Sequence, residues 1–215
     1  MKLFLDTANI EDIKRGAAMG VLDGITTNPS LLAKEGVEYK DRVLEIAEIV
    51  DGPISAECIS ETTEDLIAEA FRIAEWHKNI VVKIPLTEAG LAATSHISSK
   101  GIKVNTTLIF SANQALLAAK AGSTYVSPFI GRLNDAGHDG MEIIREISDI
   151  FNQFKLDTEV LTASIRNPRD VIEAALSGSH IATIPPNVLF NMINHPLTDK
   201  GIDLFLTDAK QYSPV

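Results

Sequence analysis

Short apolar runs recur along the whole chain at a nearly even step, and that rhythm limits the possible folds more than any other feature. They are Leu3 to Leu5, Leu22 to Thr26, Ile54 to Ala56, Ile80 to Ile84, Ile102 to Val104, Thr124 to Val126, Glu159 to Thr162 and Ile181 to Ile184. Runs this short and this rich in β-branched residues read as strands. Their step is about 25 residues, the size of a compact strand–helix unit in a barrel. Amphipathic helical stretches fill the intervals. Glu64 to Trp76 carries Leu66, Ile67, Ala70, Phe71 and Ala74 at helical spacing, and Met141 to Phe154 carries Ile143, Ile144, Ile147, Ile150 and Phe151. Strands alternating with helices imply a parallel sheet, and eight repeats favour closure into a (β/α)8 TIM barrel over an open doubly wound sheet. The 215 residues are 45% hydrophobic and hold no linker or low-complexity tract. That suits a single α/β domain over 1–215, ending in a C-terminal helix.

Charge excludes several classes. With Lys plus Arg at 19 against Asp plus Glu at 29, the net charge is -10, so no general basic footprint for nucleic acid or an anionic membrane is present. An anionic ligand would need a local basic pocket. No stretch approaches the roughly 18 uninterrupted apolar residues of a membrane span. The segment Met1 to Asp6 meets an acid too early for the apolar core of a secretory signal. The single cysteine, Cys58, cannot form an intrachain disulfide or a Cys-rich zinc site. A cytoplasmic protein is expected. His77, His96, His138, His180 and His195 lie at least 15 residues apart, without the close pairs of His-rich metal motifs, and neither GxGxxG nor a Walker A pattern occurs. Neither a metal nor an organic cofactor is expected.

Several strand candidates end in polar residues: Asp6, Thr26-Thr27-Asn28, Glu57, Lys83, Asn105-Thr106-Thr107, Ser127 and Ser164-Ile165-Arg166. Barrel strands converge with their carboxyl ends on one mouth, where sites of this fold sit. Lys83 is the most unusual choice, because it stands between Ile80-Val81-Val82 and Ile84-Pro85, where strand burial disfavours a charge. It reads either as an amine held neutral by an apolar pocket, ready to form a Schiff base with a ketone, or as a lysine snorkelling from a strand end. Asp6 is a candidate acid or base, or it simply orients the first loop, since Asn9 and Asp12 already form a helix cap. Asn28-Pro29-Ser30 and Asn167-Pro168-Arg169-Asp170 also read as helix starts. Glu57 is a candidate acid or a solvated strand end, while Asn105 and Thr107 also fit loop chemistry. Arg132 and Arg166, with Ser164 nearby, form a possible phosphate clamp or are surface arginines. Phe129 is core packing or a pocket wall. His138, Trp76 and Cys58 join no constellation and read as structural.

Taken in order, six segments resemble the transaldolase family, in its small-subunit branch beside the fructose-6-phosphate aldolases. They are Leu5-Asp6-Thr7-Ala8, Gly24-Ile25-Thr26-Thr27-Asn28-Pro29-Ser30-Leu31, Val82-Lys83-Ile84-Pro85 through Gly90-Leu91, Asn105-Thr106-Thr107-Leu108, Ser127-Pro128-Phe129-Ile130-Gly131-Arg132 and Ala163-Ser164-Ile165-Arg166. The resemblance implies transfer of a dihydroxyacetone unit between sugar phosphates in the pentose phosphate pathway. It implies Lys83 as Schiff-base lysine, Asp6 as acid/base, and Glu57 with Thr107 around a catalytic water. Asn28 and Asn105 would hold the dihydroxyacetone part, with Thr26 and Ser127 lining the same site, and Arg132, Ser164 and Arg166 would bind phosphate. The aldolase branch carries glutamine in place of Glu57 and tyrosine in place of Phe129, so both positions follow the transaldolase pattern. A fructose-6-phosphate aldolase and a non-catalytic phosphosugar-binding barrel stay open as alternatives. Small transaldolases form pentamer-based rings, which implies a homo-oligomer, a pentamer or a decamer. Ile202, Leu204, Phe205, Leu206 and Tyr212 add apolar surface near the chain end in the same sense.

Overall fold

The computed structural model describes residues 1–212, so the last three positions of the expected 1–215 domain lie outside the described residues. Eight parallel strands close into a barrel in sequence order: β1 (Lys2–Asp6), β2 (Gly24–Thr26), β3 (Ile54–Glu57), β4 (Ile80–Pro85), β5 (Val104–Ile109), β6 (Tyr125–Pro128), β7 (Glu159–Thr162) and β8 (Ile181–Ile184). Closure comes from β1 pairing with β2 on one side and β8 on the other. Around the barrel lie α1 (Ile10–Ala18), α2 (Pro29–Glu35), α3 (Tyr39–Ile49), α4 (Thr63–Ala74), α5 (Glu88–Ser98), α6 (Ala112–Lys120), α7 (Ile130–Asp135), α8 (Gly140–Phe154), α9 (Pro168–Leu176), α10 (Pro186–Asn191) and α11 (Pro196–Ala209). The expected eight-stranded barrel and C-terminal helix are both present.

Period-two alternation sorts the side chains into layers. Leu5, Ile25, Ile54, Val82, Ile84, Val126 and Ile184 point outward into the apolar layer under the helices. Their neighbours point inward. Deep in the barrel, Phe4, Val81, Tyr125, Leu161 and Ile181 form a separate apolar plug, with Phe4 and Tyr125 meeting edge to face at 6.2 Å. Gly24 makes room for it, since a Cβ there would stand 2.8 Å from the Phe4 ring. One inward step further toward the carboxyl ends, the residues become polar: Asp6, Thr26, Glu57, Lys83, Asn105, Ser127 and Thr183. The plug thus forms a dry floor beneath a polar mouth.

Three strands differ most from the expected runs, by two residues or more at one end. β2 starts at Gly24, because Leu22 packs toward Gly16 and the Asp23 carboxylate accepts the Leu3 backbone N–H at 2.8 Å. β6 runs on to Pro128, and Phe129 adds an isolated bridge to Ala163. The largest shift is in β5, which begins at Val104, where the apolar run Ile102 to Val104 ends. Asn105, Thr106 and Thr107 are fully buried strand residues rather than loop residues. Their polarity masks the strand in the sequence, yet two of them find polar partners: Thr106 meets the Ser123 hydroxyl at 2.6 Å outside the barrel, and Asn105 bonds inside it.

Candidate active site

Ladder register builds the site. In the β3–β4 pairing Glu57 stands opposite Lys83, and in the β4–β5 pairing Lys83 stands opposite Asn105. All three point inward, so they form one level of the barrel across three adjacent strands. The Lys83 Nζ is 3.0 Å from Glu57 Oε2 and donates to the Thr27 carbonyl oxygen at 3.0 Å. Only 5% of Lys83 is exposed. A buried ammonium is costly without such partners, so the lysine is a paired interior group and not a snorkelling one. Its surroundings are polar, where the sequence alone suggested an apolar pocket.

Asp6 stands at the same mouth on β1. Its Oδ1 accepts from the Thr26 hydroxyl at 2.7 Å, and Thr26 Oγ1 lies 2.5 Å from Thr183 Oγ1, which is left as the donor in that second contact. Burial pushes the Asp6 carboxyl above the usual carboxylate range, opposed by the Lys83 charge and the Thr26 hydrogen bond. On the far side of the lysine, Asn105 donates to Ser55 Oγ at 3.1 Å and accepts from Ser127 at 2.6 Å. Asn28 caps α2, its side-chain oxygen accepting from the Leu31 N–H at 3.0 Å. Asn28 also lines the mouth cavity, and with its oxygen engaged the amide nitrogen is left to donate.

All of the candidate side chains except Asn105 and Thr107 line one cavity of about 580 Å³ at the carboxyl ends of the strands. Those two are fully buried beneath its wall, and the Thr107 hydroxyl has no hydrogen-bond partner among the described residues. The cations gather on the β6–β7 side. Arg132, on α7, lies over the Phe129 ring at 5.0 Å, and Arg166 reaches Asp135 at 2.8 Å. Between them Gly131 is packed so closely that a Cβ would stand 2.2 Å from the Ser164 carbonyl and 2.5 Å from Arg166 Nε. Asn167 and Asp170 form a reciprocal capping box at the start of α9, so that pair is structural. Cys58 is buried, and burial, with Glu69 and Glu57 nearby, pushes its thiol up and makes it inert. Among the described residues no group of three or more His, Cys, Asp or Glu side chains gathers as a metal site.

The cavity also takes in Lys34, Leu108, Leu161, Ala163 and Thr183, to none of which the sequence reading gave a role. Thr183 had a legible signal, a lone hydroxyl inside the apolar run Ile181 to Ile184. Lys34 and Leu108 had none, because the turn of α2 over the mouth and the backbone at Leu108 are set by tertiary structure.

A closed parallel barrel with a buried lysine–carboxylate pair and two arginines around its carboxyl-end cavity defines a barrel whose chemistry sits at the strand mouths. The family model described as Transaldolase/Fructose-6-phosphate aldolase matches residues 3–213, and the chain belongs to this family of aldolase-type enzymes. Proteins named probable transaldolase are similar over nearly the whole length. That of Thermoanaerobacter sp. (strain X514) is 58% identical over 98% of each chain, and that of Herpetosiphon aurantiacus is 57% identical over 98% of this chain and 96% of its own. The one from Desulforamulus reducens is 56% identical over 100% of this chain and 99% of its own. A thiamine phosphate pyrophosphorylase from Pyrococcus furiosus superposes with a TM-score of 0.58 at 16% identity, covering 86% of this chain and 85% of that one. This last likeness concerns the fold alone.

Proposed function

We propose that the protein is a transaldolase. It moves a dihydroxyacetone unit from sedoheptulose 7-phosphate or fructose 6-phosphate to glyceraldehyde 3-phosphate or erythrose 4-phosphate, within the pentose phosphate pathway. The observation that carries this reading is the convergence of Lys83, Glu57 and Asp6 on one cavity with Arg132 and Arg166 on its rim. A non-catalytic barrel has no need of a buried lysine. Glu57 and Phe129, the residues that separate the branches, favour transfer over free aldol cleavage.

In the reaction Lys83 gives up a proton to Glu57, its neighbour at 3.0 Å, and the neutral amine attacks the C2 ketone. Glu57 returns the proton as the carbinolamine loses water, through a water bound by the buried Thr107 hydroxyl, and an iminium results. Asp6 takes the C4 hydroxyl proton, the C3–C4 bond breaks, and its electron pair enters the iminium to give an enamine. A carboxyl raised by burial suits a group that must accept and return a proton. The aldose phosphate departs, and a second aldehyde accepts the retained unit. Asn28 and Asn105 hold the dihydroxyacetone hydroxyls, while Arg132, Ser164 and Arg166 hold the phosphate with charged hydrogen bonds. These cations act locally against the net charge of -10. No organic cofactor enters the scheme.

The same reading makes the protein a cytoplasmic homo-oligomer, pentamer-based, with α11 at the subunit contact. Leu197, Phe205 and Leu206 on that helix are all at least 60% exposed, and α11 has no buried residue. The decisive experiment is borohydride reduction in the presence of fructose 6-phosphate followed by peptide mass mapping. An adduct on Lys83, absent in Lys83→Met, is expected; an adduct elsewhere or none would refute the Schiff-base mechanism.

A further inference from the structure

One feature of β5 is unlike the other strands. Asn105 and Thr106 pair with Tyr125 and Val126, but the next pairing is Ile109 with Pro128. Two residues, Thr107 and Leu108, therefore oppose the single residue Ser127, which is the geometry of a β-bulge. Leu108 adopts φ of 59°, a left-handed backbone that a leucine adopts only under strain. Strict alternation would send Leu108 outward, next to the inward Thr107. The bulge instead turns it into the cavity that holds Lys83 and Glu57, and Ile109 resumes the outward position in the helix-facing core.

We infer that Leu108 determines the fate of the covalent intermediate. Its side chain is the apolar cover held over the dihydroxyacetone unit, and it keeps bulk water from the carbon that must react with the second aldehyde. The bulge brings a leucine, at a strained φ, onto the wall of the cavity that holds Lys83. Uncovered, the enamine takes a proton from water at that carbon and becomes an iminium. Water then adds to C2, the C2–N bond breaks, and free dihydroxyacetone leaves with the Lys83 amine restored, one water being consumed overall. Covered, the same carbon waits for the aldehyde. In this scheme the wanted water is the one assigned to the Thr107 hydroxyl, which has no hydrogen-bond partner among the described residues, and Leu108 keeps other water away.

The inference rests on the transaldolase reading, and its test separates the two. Leu108→Gly and Leu108→Asn both accept the left-handed backbone while removing the cover. Free dihydroxyacetone release from fructose 6-phosphate and transfer to glyceraldehyde 3-phosphate are measured side by side, with borohydride trapping on Lys83 in each protein. The ratio of release to transfer should rise by about fivefold or more in both variants, with the Lys83 adduct retained, and Leu108→Met should bring it back toward wild type. If the glycine variant does not fold, the asparagine variant carries the comparison. An unchanged ratio with the adduct intact overturns the role of Leu108, as does an equal rise in Leu108→Met. Absence of the adduct in the wild type instead overturns the Schiff-base reading, and this inference with it.

Discussion

Glu57 and Lys83 are register partners on neighbouring strands, so the 3.0 Å contact between their side chains is set by the backbone ladder and not by chance meeting of two flexible groups. A pair positioned in this way can exchange a proton without reorganisation, which is what carbinolamine formation and breakdown require. Glu57→Gln keeps the shape but cannot accept the proton. Transfer to glyceraldehyde 3-phosphate should fall roughly tenfold or more. Cleavage of fructose 6-phosphate without acceptor should rise relative to it. Phe129→Tyr, which adds a hydroxyl to the cavity wall, should act in the same direction; coupled-enzyme assays of both activities check this. If only transfer falls in both variants, water control by this residue pair is wrong.

Asp6 supplies a pH dependence. Its folded-state pKa is raised by burial, so the folded protein holds that proton more tightly than the unfolded chain. The stabilising contribution is therefore complete below the ordinary carboxylate range and disappears as pH rises through the raised value. Above the ordinary carboxylate range, folding must either bury the ionised carboxyl or take up a proton, and either is a net cost. Asp6→Asn should abolish cleavage yet raise the melting temperature at pH 7 by about 2–4 °C per kcal/mol relieved, with the gain shrinking at acid pH. Calorimetry at two pH values tests the sign. A lower Tm at pH 7 would contradict it. In the wild type, the acid limb of kcat should lie above the pH at which an exposed aspartate titrates.

Phosphate recognition has its own signature. Arg132→Ala or Arg166→Ala should raise KM far more for phosphorylated than for unphosphorylated aldehydes, since charged hydrogen bonds contribute about 1.5–3 kcal/mol each. Gly131→Ala should mimic the arginine variants in part, because the added methyl displaces Ser164 and Arg166 together. Steady-state kinetics with paired acceptors distinguishes this outcome from a general loss, in which both substrate types would suffer equally.

The exposed face of α11 sets a test of assembly. Light scattering should show a species well above the 23.3 kDa monomer, and Phe205→Glu with Leu206→Glu should shift it toward monomer while leaving Lys83 trapping measurable. A monomer in the wild type at working concentration would remove the proposal.

The barrel was legible because short apolar runs recur at a nearly even step with amphipathic helices between them, and Val81, Val82, Lys83 and Ile84 announce both a strand and its odd member. Lys83 and Asp6 stood out as polar residues at strand ends and Arg166 just beyond β7, whereas Arg132 falls on α7. β5 was misplaced for the converse reason, since Asn105 and Thr106 are strand residues satisfied by partners distant in sequence, Ser55, Ser127 and Ser123, while Thr107 is buried with its hydroxyl unpartnered among the described residues. Leu108 escaped notice because nothing in a leucine advertises a positive φ. The ion pair of Lys83 was equally hidden, for it depends on how two strands align rather than on what either contains.

The chain of hydroxyls from Thr183 through Thr26 to Asp6 joins the last strand to the first two. During synthesis β3 and β4 are complete long before β8 emerges, so the Glu57–Lys83 pair can form while β1 still lacks its second neighbour. Parallel closure over so many residues is among the slower events in folding. The half of the site proposed to form the Schiff base thus lies on strands adjacent in sequence, and the half proposed to cleave carbon from carbon is finished only when the two ends of the barrel meet.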